Sequence, residues 1–308
     1  MINKKILTIG IPTYNRPEYL KECLEHICPQ ITDDIYVIVR DNCSSNYDVK
    51  EFIKPYVEKY HVKVYVNNTN IGGDANTARI FELCDTCWLW IIGDDDYLAP
   101  GAISQVLDTI KNQTDCIYIK FNSRYAGKVY GIEGFASAMH ERGAFGYSFF
   151  TSECIYNLDI TNHNMFWHYR YLSTYSSQVI RVMHDLIEDG SRSCLFLNEQ
   201  VLEKHGEEIS WSRVGIVPWQ LTIIDEFWEQ RKLFRNNIFR DIASYTMVYV
   251  DSSNLPHSKK RYLYRQIISR IGIVYLLRFN FVQIVRIPLR KVLPLSVYKR
   301  FKDILRRD

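Results

Sequence analysis

The tightest constraint on this chain is the stretch Trp88-Leu-Trp-Ile-Ile-Gly-Asp-Asp-Asp-Tyr-Leu-Ala-Pro100. Five apolar residues read as a strand buried on both faces, and they run straight into Asp94, Asp95 and Asp96 before Pro100 stops the segment. Three like charges on adjacent residues repel, and the end of a buried strand offers little water to screen them. A hard divalent cation resolves that conflict. Mg2+ or Mn2+ takes carboxylate oxygens together with substrate phosphates, which points to a nucleoside diphosphate. The competing reading is an acidic turn that caps a helix starting near Pro100.

The residues upstream favour the cation. Residues 5–12 read as a buried strand, followed by a turn with Asn15 and Pro17 and by helical spacing at Glu18, Leu20, Cys23, Leu24 and Ile27. Ile35 to Val39 is a second strand, ended by the turn-forming cluster 40–46. A helix over 49–60, a strand over 62–66, a loop over 67–73 and a helix over 75–84 lead to the strand 88–92. Strands alternating with helices predict an α/β fold with a mostly parallel sheet flanked by helices. In such sheets ligands bind outside the carboxyl ends of the strands. That rule gathers three polar loops, 12–16, 41–46 and 94–96, on one rim.

Four segments then carry a specific resemblance. Ile11-Pro-Thr-Tyr-Asn-Arg16, Val39-Arg-Asp-Asn-Cys-Ser-Ser45, Asn70-Ile-Gly-Gly-Asp-Ala-Asn-Thr-Ala-Arg79 and Ile92-Gly-Asp-Asp-Asp-Tyr-Leu-Ala-Pro100 resemble, in order and spacing, the signatures of family 2 glycosyltransferases of the bacterial cell-surface polysaccharide type. The likeness covers about residues 4–110. It implies the GT-A fold, a Rossmann-like nucleotide-diphospho-sugar transferase architecture, here with a helical C-terminal extension. It further implies Pro12, Thr13, Tyr14 and Asp41 at the nucleotide base, and Arg16, Asn70, Gly72 and Arg79 near the nucleotide. Asp94 is expected toward the ribose, Asp95 on the metal (Mn2+ or Mg2+), and Asp96 on it or just behind. Gly93 departs from the pattern, since many members have Asp there.

Past residue 110 the resemblance thins. A helix over 101–111 and a strand over 116–121 continue the sheet, and 127–146 reads as an aromatic, loop-rich acceptor region before a strand over 149–156. Family members often supply the general base from a Glu-Asp pair opening a helix about 80 residues beyond the metal motif. The corresponding helix here, 176–189, begins Ser-Ser-Gln-Val. Glu153 is the substitute candidate for the catalytic base, with His168 and Asp159 behind it. The last strand is expected over 195–205, where His205 resembles a histidine that reaches the metal or diphosphate in many GT-A enzymes, and Trp211 and Arg213 stand where they would close over the diphosphate. The expected organisation is a catalytic domain over 1–215 (nucleotide-binding half 1–110, acceptor half 111–215), a helical segment over 216–254, and basic amphipathic helices over 255–308.

The net charge of +3 conceals an asymmetry: 255–308 carries 14 Lys and Arg against 2 Asp, leaving −9 on 1–254. Tyr262, Ile267, Ile268 and Ile271 alternate with Arg261, Arg265 and Arg270, and the pattern resumes through Phe281, Ile284, Val297 and Phe301. Such helices lie on anionic membrane surfaces or pack on their own enzyme. No binding motif for nucleic acid is present. The opening residues lack a secretory signal and the eight cysteines lack a framework spacing, so the expected location is cytoplasmic, peripheral on the inner face of the membrane. The expected activity is metal-dependent, inverting transfer of a sugar from a nucleoside-diphosphate sugar to a glycan or lipid-linked glycan. A sugar-1-phosphate nucleotidyltransferase and a non-catalytic glycan- or nucleotide-sugar-binding protein are the alternatives. The first of these would need a Gly-rich phosphate loop where Pro12 to Arg16 has no glycine.

Overall fold

Alternating apolar runs and amphipathic helices build a parallel sheet. The computed structural model describes residues 6–113, 115–161, 165–204 and 213–272. In chain order its strands are β1 (Leu7–Thr13), β2 (Ile35–Asp41), β3 (Lys63–Val66), β4 (Trp88–Ile91), β5 (Tyr97–Leu98), β6 (Cys116–Lys120), β7 (Gly127–Tyr130), β8 (Cys154–Asn157), β9 (Ser193–Phe196) and β10 (Leu202–Lys204). Eight of them form one sheet in the order β3-β2-β1-β4-β8-β6-β9-β7. β3, β2, β1 and β4 are parallel. β8 runs antiparallel to both β4 and β6, so β6 again points the same way as β4, and β9 follows it in parallel. The carboxyl ends of β1, β2, β4, β6 and β9 therefore share one rim, and the amino end of β8 lies on it.

Packing follows the residue spacing. The helix Pro17–Ile27 has proline in its first turn and buries Leu20, Cys23, Leu24 and Ile27, while Ala102–Lys111 buries Ile103, Val106, Leu107 and Ile110. β5 and β10 make a separate two-stranded ribbon that ties the residues after the aspartates to 201–204, with Ala99 N donating to Val201 O at 3.0 Å.

Several elements differ from their expected extent. The helix over 49–60 is two helices, Val49–Phe52 and Lys54–Tyr60, because Pro55 has no N–H to continue the first one. The loop expected over 127–146 holds β7 and the helices Gly131–Ala138 and Ala144–Tyr147, with Phe135 and Phe145 buried. Residues Thr151–Glu153 form a 3-10 turn before β8. The expected strand over 195–205 is divided between β9 and β10, which belong to different sheets.

The chain divides into two compact units, 1–212 and 213–308. In the second, the helices Arg213–Glu226, Ile238–Ser252 and His257–Ile271 pack on one another. Leu263, Ile267 and Ile271 form a buried stripe, and Arg270 reaches both carboxylate oxygens of Asp225 at 2.8 and 2.7 Å. Protein covers that stripe, and the exposed residues of the helix include Lys259, Arg261, Tyr262 and Arg265. Residues 273–308 lie outside the described residues. Among the described residues no helix is long and apolar enough to cross a membrane.

Trp90 is fully buried in β4 and donates its Nε1 to Ser152 O at 2.9 Å. Trp90→Ala is expected to lower unfolding free energy by about 3–5 kcal/mol in urea titration, through cavity formation and an orphaned carbonyl.

Candidate functional site

β4 ends at the rim, and the three aspartates after it have different partners. Asp94 is buried against the loop after β1: one oxygen accepts from Thr13 Oγ1 at 2.7 Å and the other from Arg16 at 2.8 Å. The second guanidinium nitrogen of Arg16 reaches Asp95 at 2.8 Å, and the guanidinium lies over Tyr19, 4.3 Å from the ring centre. Asp96 accepts from Ser152 Oγ at 2.5 Å, and that hydroxyl in turn accepts from Gly93 N at 2.9 Å. Burial pushes Asp94 up to about 6, against the pull of Arg16 and Thr13 in the other direction.

Gly93 explains its own departure from the family pattern. A Cβ there would sit 2.9 Å from Asp96 Oδ2 and 3.1 Å from Asp95 Oδ1. Two carboxylate oxygens fold back over one glycine and converge on the space a side chain would fill. Among the described residues no group of three or more His, Cys, Asp or Glu side chains is gathered as a closed metal cage. A pair of carboxylates is the donor set that suits Mg2+ or Mn2+ when substrate phosphate and water complete the coordination.

Hydrogen bonds between loops hold the rim together. Asn15, at φ 55°, donates its N–H to Ser44 Oγ at 2.7 Å and accepts at Oδ1 from Ser45 N at 2.7 Å. Ser44 also donates both its N–H (2.8 Å) and its hydroxyl (2.5 Å) to the Asp41 carboxylate, which is buried. Asn42 Nδ2 donates to Asn70 Oδ1 at 2.8 Å, and Asn42 Oδ1 accepts from Asn67 Nδ2 at 3.0 Å and Ile71 N at 2.9 Å. Asn76 joins this cluster through Asn67 and through Arg40 O. Gly72 adopts φ 87°, a conformation glycine enters without penalty, with open space where its Cβ would be.

Thr13, Arg16, Asp94 and Asp95 thus meet directly, and Asp96 is held by Ser152. Asp41 and Asn70 are linked to them through Asn15, Ser44 and Asn42, while Pro12 lies at the end of β1 and Tyr14, just after it, is exposed. Sequence reasoning missed Asn42, Asn67, Asn76 and Ser152. The run of asparagines over 67–76 was the available signal for Asn67 and Asn76, and the polar cluster 40–46 for Asn42.

Other expected residues fall elsewhere. Arg79 lies down the helix Gly73–Leu83, 51% exposed and paired with Glu82 at 2.9 Å, a solvated helix position away from the rim. Glu153, expected as the base, is buried with Lys120 Nζ on one oxygen at 2.5 Å and Asn122 Nδ2 on the other at 2.6 Å. With both oxygens already accepting, it is placed to orient neighbours rather than to take a proton from a hydroxyl. His168 packs edge-on to Phe81, and burial drives it down to about 3, so it is a neutral core residue. Asp159 follows the far end of the antiparallel β8, at the opposite edge of the sheet from the aspartates. His205 and Trp211 lie outside the described residues, as does the side chain of Arg213.

A mostly parallel sheet with an antiparallel strand beside β4, and an aspartate cluster where β4 ends, is the architecture of the GT-A class of nucleotide-diphospho-sugar transferases. The chain belongs to glycosyl transferase family 2, whose model matches residues 8–178. Abequosyltransferase RfbV of Salmonella typhimurium is 32% identical over 118 residues, 37% of this chain and 35% of that one. In four curated relatives the aligned stretch spans 17–37% of their length. S. aureus TarS 1–349, solved in complex with UDP-GlcNAc, has a TM-score of 0.55 at 14% identity and covers 88% of this chain and 91% of its own. Mannosyltransferase PcManGT from Pyrobaculum calidifontis, solved with GDP-Man and Mn2+, has a TM-score of 0.52 at 11% identity, with 92% of this chain and 88% of that chain covered.

Asn42→Ala removes the acceptor that Asn67 and Ile71 share. The expected loss is about 1–3 kcal/mol of unfolding free energy by chemical denaturation, the usual penalty for orphaned polar groups.

Proposed function

We propose that this protein transfers a sugar from a nucleoside diphosphate to a hydroxyl of a glycan acceptor, by a single displacement that inverts the anomeric centre. The observation that carries this is the convergence of Asp95 Oδ1 and Asp96 Oδ2 over Gly93, on the rim where the loops after β1 and β2 also end. Family membership supports the reaction class, and the UDP-GlcNAc, GDP-Man and Mn2+ bound by the solved relatives support the donor class and the cation.

Each residue has a defined task. Asp95 and Asp96 would hold Mn2+ or Mg2+, which when bound neutralises the departing diphosphate. Arg16 stands in for that cation until the donor arrives, and its planar fork matches diphosphate oxygens as well as it matches carboxylates. Pro12, Thr13, Tyr14 and Asp41 line the place of the base, with Asn70 and Gly72 beside the nucleotide and Asp94 toward the ribose. In the reaction, the acceptor oxygen bonds to the anomeric carbon as the carbon's bond to the diphosphate oxygen breaks. The hydroxyl proton passes to water, and the nucleoside diphosphate departs with the electron pair of the broken bond.

The acceptor we assign is lipid-linked, at an anionic membrane surface. Support comes from Lys259, Arg261 and Arg265, which are exposed on the helix His257–Ile271 beside Tyr262, itself 59% exposed. Each such cation contributes about 1 kcal/mol near an anionic surface.

Three outcomes test these assignments. A melting-temperature screen of nucleoside diphosphates and nucleotide sugars should show stabilisation that requires Mn2+ in the wild type and disappears in Asp95→Ala, whose unliganded melting temperature stays near wild type; retained sugar transfer by Asp95→Ala would refute the role. Arg16→Gln leaves Asp94 and Asp95 without their counter-ion, so the unliganded protein should melt lower, and added Mn2+ should raise it more than it raises the wild type. Replacing Lys259, Arg261 and Arg265 by Gln together should lower sedimentation with phosphatidylglycerol vesicles severalfold, and unchanged sedimentation would contradict membrane attachment.

A further inference from the structure

The carboxylates on the rim differ in what already holds them. Asp41 accepts from Ser44, Asp94 and Asp95 from Arg16, Asp96 from Ser152, and Glu153 from Lys120 and Asn122. Asp74 is half-buried in the first turn of the helix Gly73–Leu83, two residues past Gly72. Among the described residues, the donor to its carboxylate is its own backbone N–H and no cation faces it. Burial without a counter-charge pushes it up to about 7.

Two helices bring that carboxylate to the rim. Gly73–Leu83 starts there because it follows the loop 67–72 after β3, which is parallel to β2. Ser177–Glu188 starts there too, since it leads into β9, whose amino end lies at the opposite edge of the sheet. The two helices run side by side in one direction, with the Arg181 guanidinium 5.7 Å from the centre of the Phe81 ring. About two turns back from that contact stand Asp74 on the first helix and Tyr175 just before the second. Burial, and after it the Asp74 charge, push the Tyr175 phenol up, as expected of neighbouring groups. The start of the second helix is also tied toward the aspartates: Gln178 Nε2 donates to Phe149 O at 3.5 Å, three residues before the serine that holds Asp96.

We propose that Asp74 is the catalytic base, taking the proton of the acceptor hydroxyl as that oxygen attacks the anomeric carbon. This rests on the glycosyltransferase reading and supplies the group that Glu153 does not. The electron pair of the O–H bond stays on the acceptor oxygen, which forms the new bond to carbon while the old carbon–oxygen pair leaves with the diphosphate. Asp74 then releases the proton to water and is ionised again for the next turnover. A carboxylate whose acid form titrates near neutrality combines availability with proton affinity, the best compromise for a general base. Groups on the elements packed against the helix are engaged elsewhere: Arg40 with Asn67, Asp41 with Ser44, Tyr36 with Lys63, Tyr169 with Glu82, His168 with Phe81 and Arg170 with Phe166. On the helix itself Arg79 pairs with Glu82. Tyr175 is the titratable group left facing Asp74, and with its phenol pushed above the ordinary value it stays neutral through the range in which Asp74 ionises.

The test uses the full chain with Mn2+ and UDP-glucose, UDP-N-acetylglucosamine or GDP-mannose, following release of nucleoside diphosphate when water takes the acceptor's place. Melting-temperature shifts with the same compounds, and with UDP and GDP, are read in parallel. Asp74→Asn keeps the size of the side chain and removes its proton affinity, so turnover should fall about 10²–10⁴-fold while the shifts match the wild type. Wild-type kcat/KM should drop about tenfold per pH unit below about 7, and Asp74→Asn should lack that limb. Asp74→Asn turnover within threefold of wild type, wild-type turnover that is flat across that range, or wild-type donor binding without release would overturn the assignment. Loss of the sugar-nucleotide shifts in Asp74→Asn with the UDP and GDP shifts intact would also overturn it, marking Asp74 as a contact to the donor sugar. Absence of every Mn2+-dependent shift in the wild type would overturn the donor reading itself, so the two failures give different results.

Discussion

Repulsion among three consecutive carboxylates at the end of a buried strand is the constraint that the surrounding structure answers. Two unit charges 4 Å apart interact by about 4 kcal/mol at an effective dielectric of 20. A fold is stable by only about 5–15 kcal/mol in all, so a few uncompensated pairs would consume that margin. Arg16 meets this need by binding Asp94 and Asp95 together, and the Ser152 hydroxyl donates to Asp96. The loop after β1 and the start of β8 are therefore attached to the end of β4 by the charges themselves.

Asparagine does the corresponding work among neutral groups. Asn15 joins the loop after β1 to the loop after β2, and Asn42, Asn67, Asn70 and Asn76 join that loop to the turn entering the helix Gly73–Leu83. An amide side chain both donates and accepts, so one asparagine can satisfy two strands' worth of exposed backbone and side-chain partners. Loops held this way present Asp41, Gly72 and the aspartates as one surface rather than as separate mobile segments. A fixed arrangement of this kind reduces the ordering cost of binding a nucleotide.

Much of this was legible in the amino-acid sequence because it depends on local pattern. Apolar runs ending in polar clusters located β1, β2 and β4, and the parallel-sheet rule placed their following loops on one edge. What escaped depends on contacts distant in sequence. Glu153 reads as an available carboxylate until Lys120, from a neighbouring strand, is seen against it. Arg79 sits in a family motif, yet the face of its helix turns it toward Glu82 and solvent. Leu263, Ile267 and Ile271 announce an amphipathic helix, but no periodicity tells whether lipid or the helices Arg213–Glu226 and Ile238–Ser252 cover that face. Gly93 departs from the family pattern because two carboxylates lie over the space its side chain would fill.

The claim at the centre is that the carboxylates over Gly93 and a substrate diphosphate grip one cation jointly. Mn2+ binding followed by electron paramagnetic resonance, with and without UDP or GDP, tests it most directly. Free Mn2+ signal should fall at least tenfold more steeply with protein when a nucleoside diphosphate is present than when it is absent, after correction for Mn2+ bound by the nucleotide alone, and Asp95→Ala should abolish the difference. Equal binding with and without the nucleotide, or a difference that persists in Asp95→Ala, would contradict it.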